Sequence, residues 1–101
     1  AASLAPSRPT DLAAVGGVGS ASITCTAPTS SNLAAIRIFR ASILDRFVDA
    51  TDVSGPISAA PGAPISFVDT VLTGGWRWWA RAETSIAVGS QPAGPVEATV
   101  I

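Results

Sequence analysis

Enzymatic chemistry needs a nucleophile beside a base, a set of metal ligands, or a cradle for a phosphate, and each is hard to assemble from this sequence. There is no His and no Lys; the basic residues are Arg8, Arg37, Arg40, Arg46, Arg77 and Arg81. A Ser or Cys nucleophile would have only a carboxylate to take its proton. The one thiol, Cys25, lies in the run SASITCTA at 20–27 on the same side as Ala21 and Ile23. That placement describes a small buried hydrophobe, not a reactive thiol, which needs exposure and a lowered pKa. Asp45, Asp49 and Asp52 are the clustered carboxylates, but calcium takes six to eight oxygen ligands and their spacing fits no calcium loop, so they read as a solvated turn and edge. GGVG at 16–19 lacks the Lys and the strand-to-helix setting of a phosphate loop and is expected to be a hairpin turn. No catalytic residue, metal or cofactor is expected.

The remaining chemistry is that of Arg and aromatic rings. In WRWWARA at 76–82, a pleated strand sends Trp76, Trp78, Ala80 and Ala82 to one face and Arg77, Trp79 and Arg81 to the other. In IRIFR at 36–40 the same alternation separates Arg37 and Phe39 from Ile36 and Ile38. Positioning these side chains requires two strands and a core beneath them.

The composition supplies that core. The chain has 101 residues, 48% hydrophobic and 13% charged, enough for one domain that buries roughly 65% of its unfolded surface and too apolar to stay disordered. A net charge of −1 removes the positive field on which sequence-independent nucleic-acid binding depends. No charge falls between Asp11 and Arg37, yet Gly16, Gly17, Gly19 and Pro28 interrupt that stretch, so membrane insertion is not expected. The N-terminal AASLAPSRP has neither the basic nor the apolar region of a signal peptide. An initial Ala in place of Met is expected to reflect excision from a longer chain, although Met removal would leave the same start.

Gly and Pro divide the chain into strand-length pieces: Pro6 and Pro9, Gly16–Gly19, Pro28, Gly55–Pro56, Pro61–Pro64, Gly74–Gly75 and Pro92–Pro95. Period-two alternation marks strands at 20–27 and 95–101, and ISFV at 65–68 supplies a shorter one. The segment 32–52 has two readings. Leu33, Ile36, Phe39, Ile43, Leu44, Phe47 and Val48 lie close to one helical face with Ser31 or Asn32 as cap, whereas Ile36 and Ile38 alternating with Arg37 describe a strand, followed by a turn at Ser42–Asp45 and a second strand.

WRWWARA, preceded by Leu72 and Gly74–Gly75 and followed by PVEATVI at 95–101, resembles the end of a fibronectin type III domain. The resemblance extends back through FVDT at 67–70, IRIFR at 36–40, ITCTAP at 23–28, and Pro9 with Leu12, covering nearly the whole chain. It implies an all-β, seven-stranded immunoglobulin-like β-sandwich over 8–101, strands A, B and E facing C, C′, F and G, with 1–7 as a linker. Under that arrangement 33–48 is not helical. Two positions depart from the family: Cys25 stands where a core Trp is usual, and Trp76 where a Tyr closes a corner with its hydroxyl. Trp76 and Trp78 are expected to restore the volume that Cys25 gives up.

The resemblance makes strands C and F neighbours, which gathers Arg37, Phe39, Arg77, Trp79 and Arg81 into one outward patch. One reading is a contact surface for a neighbouring domain, a partner or a sugar ring. The other is structural: Phe39 and Trp79 pair across the strands for up to about 1 kcal/mol, covered by Arg stems and the adjoining hairpin. The implied function is a non-catalytic structural spacer and protein-interaction module of a larger phage tail or bacterial surface or secreted protein, partnered by neighbouring domains and located in a virion, outside the cell or on its surface. The alternative is an accessory module that binds carbohydrate or a host surface through the outer face of C and F. Abundant Ala and the use of Arg in place of Lys suggest a GC-rich bacterial or phage genome.

Overall fold

A computed structural model describes residues 5–86 and 88–101. Two antiparallel sheets face each other. The first has the order β1 (Thr10–Gly16), β2 (Ser20–Thr26), β6 (Pro64–Thr70). The second has β4 (Thr51–Asp52), β3 (Ala35–Ser42), β7 (Gly74–Glu83), β8 (Ala93–Val100), and β5 (Ile57–Ser58) pairs with β3 as well. These are the A, B, E and C′, C, F, G positions of the expected sandwich. The C′ edge, expected as one strand, consists of β4 opposite Phe39 and Arg40 and β5 opposite Ala35 and Ile36. The excursion through Ser54, Gly55 and Pro56 separates the two pieces, and Gly55 takes the positive φ of 66° that this bend requires.

Binary patterning explains β2 in full: Ala21, Ile23 and Cys25 are buried while Ser22 and Thr24 are exposed. The turn at 17–19 closes as expected, with the Gly17 amide donating to the Ser20 carbonyl at 2.8 Å and Gly19 at φ 71°. The helical reading of 33–48 is overturned over Ala35–Ser42, which pairs residue by residue with β7 from Ala35–Glu83 to Ser42–Trp76. Its periodicity survives only as a single 3-10 turn at Phe47–Asp49.

Ile23, Ile36, Ile38, Trp78, Ala80, Ala82 and Val100 form the centre of the core, with Cys25 and Ile65 beside them. Each fully buried Ile contributes roughly 1.5–3 kcal/mol relative to exposure. Trp78 is completely buried and Trp76 half-buried against the same cluster, so most of the replacement volume comes from Trp78. Trp76 keeps the corner by other means, since its indole N–H donates to the Leu72 carbonyl at 2.9 Å.

At one pole the Ser7 amide donates to Ser30 Oγ at 3.0 Å, and Pro6 is already buried. At the other, Ile101 exchanges backbone hydrogen bonds with Gly17 and Gly19. Residues 1–4 of the expected 1–7 linker lie outside the described residues.

Candidate functional site

The outer face of β3 and β7 brings together all five residues that the sequence singles out. Arg37 stands directly opposite Arg81, and Phe39 directly opposite Trp79. Like charges facing each other across a ladder are unfavourable, and each guanidinium is turned to its own acceptor. Arg37 bridges two carboxylates, Asp52 Oδ2 at 2.6 Å and Glu83 Oε1 at 2.7 Å. Those hydrogen bonds, to Asp52 first and Glu83 second, raise the guanidinium pKa further above its ordinary value. Arg81 Nε donates to the Ser90 carbonyl at 2.9 Å. Gly89 packs so closely on this group that a Cβ there would collide with the guanidinium. Arg77 is tied to Glu97 across the β7–β8 ladder at 2.7 Å and to the Asp45 carbonyl at 3.0 Å.

The aromatic part differs from the expected patch. Trp79 points outward as parity requires, but it is only 4% exposed. Its cover is Phe47, which stands edge-on to Trp79 at 5.8 Å and to Phe39 at 5.1 Å. On the other side, β8 bulges between its pairings with Trp78 and Ala80, and Gly94 at φ 113° lets backbone lie against the Trp79 ring, where a Cβ would come within 3.2 Å of Cδ1. A ring so enclosed offers no face for a sugar to stack on. An Arg–Trp contact does occur between two other residues of these strands: Arg40 sits 5.1 Å from the centroid of Trp76.

A hollow of about 220 Å³ on this face is lined by Arg37, Phe39, Arg81, Glu83 and Gly89. It has two cationic groups, one carboxylate and a half-buried ring edge, a set suited to polar recognition. Two of the three Asp residues considered for calcium are engaged by other groups: Asp52 serves Arg37 and the Gly55 amide, while Asp49 lies 3.9 Å from Arg46. Among the described residues no group of three His, Cys, Asp or Glu side chains could hold a metal ion.

The sequence reading missed Phe47 as the cover of Trp79, Asp52 and Glu83 as the partners of Arg37, and the pairing of Arg40 with Asp69 at 2.8 Å. Phe47 carried a usable signal, since an aromatic in a polar turn needs somewhere to bury. The carboxylates carried none, because their pairing depends on which strands are neighbours.

No family model matches the chain, and no curated protein matches it. Solved structures do. An Fn3-like protein from Clostridium thermocellum superposes with a TM-score of 0.68 at 20% identity, covering 97% of this chain and 96% of that one. The fold is that of a fibronectin type III domain. The FN1–FN3 domains of chicken CNTN1 give a TM-score of 0.74 at 15% identity, covering 95% of this chain, which spans 33% of that structure. In fibronectin type III terms, the candidate site is the outer face of strands C and F with the loop following F.

Proposed function

We propose that this chain is a non-catalytic structural spacer and interaction module within a larger phage tail or bacterial surface or secreted protein. The observation that carries this reading is the placement of Ser7 and Ile101 at opposite ends of the sandwich, whose long axis is 47 Å. A chain that enters at one pole and leaves at the other spaces its neighbours in line. The engagement of Arg37 and Arg77 with carboxylates and the covering of Trp79 support a face built first for stability. Among the described residues no helix is long and apolar enough to cross a membrane. The test is small-angle scattering on two copies joined in tandem. An extended particle lengthened by roughly the long axis of one unit supports the spacer, whereas a folded-back pair no longer than one unit overturns it.

The second reading, binding of a polysaccharide or host-surface ligand, is supported by the hollow between Arg37 and Arg81. There Arg81 is held by a carbonyl, which leaves its charge available to an anionic or hydroxyl-rich group. Polysaccharide binding that disappears in Arg81→Gln with unchanged stability favours this reading. An array on which the wild-type chain binds no glycan removes it.

A further inference from the structure

The sheet opposite the candidate site has an edge that the fold leaves open. β1 is closed on its far side by β8: Gly16 lies so close to the Thr99 carbonyl that no Cβ would fit, and Gly17 and Gly19 bond to Ile101. Among the described residues β6 pairs only with β2. Its ladder phase follows from the bonds flanking it, with the Ala27 amide donating to Ala63 at 2.8 Å and the Val71 amide to Gly19 at 3.2 Å. Alternation in an antiparallel pair then turns the amides and carbonyls of Ile65, Phe67 and Asp69 toward β2. Those of Ser66, Val68 and Thr70 turn away from it, along a free edge.

The side chains on these edge residues are unusual for such a position. Edge strands are commonly blunted by charge, by Pro or by a bulge. Here Ser66, Val68 and Thr70 are exposed and uncharged, Val68 is 62% exposed, and the one acidic residue of the strand, Asp69, points inward and is buried. Pro64 blocks only the first position. The adjoining outer face continues the pattern: Val15 and Val68 flank Ser22 across the ladder, with no charge among Ala13, Val15, Ser22, Thr24, Ser66 and Val68. The other open edge, β4 and β5, is short, broken and charged at Asp52.

We propose that two copies of the chain pair antiparallel through β6, merging their three-stranded sheets into one continuous sheet. A two-fold axis at Val68 matches every outward donor with an outward acceptor. Val68 bonds to its own equivalent, and Ser66 exchanges both bonds with Thr70 of the second copy. In this register the Pro64 position, which lacks an N–H, falls beyond these pairs. The facing side chains are Val on Val and Ser on Thr, which carry no like-charge repulsion and suit cross-strand contact. A second copy is the occupant because the edge is complementary to itself, as an isologous interface requires.

The test is sedimentation velocity over a concentration series, combined with amide exchange on the wild-type chain. The expected result is reversible dimerisation, with the Ser66, Val68 and Thr70 amides slowed in the dimer. The Ile65, Phe67 and Asp69 amides, bonded within each chain, should be protected at every concentration. Val68→Lys, on an exposed side chain, and Ser66→Pro, which removes an outward donor only, should each weaken dimerisation by about tenfold or more. Circular dichroism checks that both variants keep the fold. A monomer throughout the series overturns the proposal, and so does a dimer whose concentration-dependent protection lies outside β6. Arg81→Gln should leave dimerisation unchanged, so failure here is separable from failure of the ligand reading.

Discussion

The indole N–H of Trp78 on β7 donates to Asp69 Oδ2 on β6 at 2.9 Å, inside the sandwich and across its two sheets. Asp69 is 5% exposed, and both of its oxygens also accept from Arg40 of β3, at 2.8 and 2.9 Å. One buried carboxylate thus joins three strands and satisfies the only polar atom of the largest core side chain. A buried charge is tolerated when it is paired and fully hydrogen-bonded, and removing one partner strands the others.

Replacement of Asp69 by Ala is therefore expected to cost about 3 kcal/mol, because both the Trp78 N–H and the Arg40 guanidinium lose their acceptor. Asp69→Asn, which keeps an acceptor for the indole and loses the charge, should cost less. Urea unfolding followed by Trp fluorescence measures both. A loss under about 1 kcal/mol for the Ala variant would show that the network does not couple the sheets.

Trp79→Ala is expected to destabilise the fold by about 3 kcal/mol or more, in keeping with truncation of an enclosed aromatic. Phe47→Ala should cost less and red-shift the fluorescence, since it uncovers Trp79 without removing it. A Trp79→Ala variant as stable as the wild type would mean that the ring is not enclosed in solution.

How much of this was legible in the sequence depends on distance along the chain. The period-two runs gave β2, β6, β7 and β8 and the direction of every side chain from Trp76 to Ala82, because alternation is local. The same alternation gave the outward direction of Trp79 but not its exposure. Its cover comes from Phe47, thirty-two positions away, on a turn whose helical periodicity was compatible with a longer helix. Arg37 reads as a free cation on a strand until β4 and the end of β7 place Asp52 and Glu83 beside it.

Trp76→Phe isolates one hydrogen bond. The indole N–H bonds the carbonyl of Leu72, an exposed residue, so water can replace the lost donor. The expected cost is about 1 kcal/mol, and Trp76→Ala should cost more by also removing the surface under Arg40. A Phe variant equal in stability to the wild type would reduce the corner to packing alone.

Cys25 sets a pH dependence whose sign follows from burial. Desolvation raises its thiol from 9.0 to about 11, because the thiolate is disfavoured in the core. Below about pH 9 the thiol is neutral in both folded and unfolded chains and contributes no slope. Between about 9 and 11 the unfolded chain loses this proton while the folded chain keeps it, so stability falls as pH rises; above that range the slope vanishes. The contribution lost is roughly 2–3 kcal/mol. Unfolding free energies measured from pH 8 to 11 should show this decline in the wild type and a smaller one in Cys25→Ala, where the titrating group is gone. Equal declines in the two proteins would place the alkaline sensitivity elsewhere. Rapid reaction of the native thiol with a disulfide reagent near pH 8 would contradict the burial itself, because the attacking species is the thiolate.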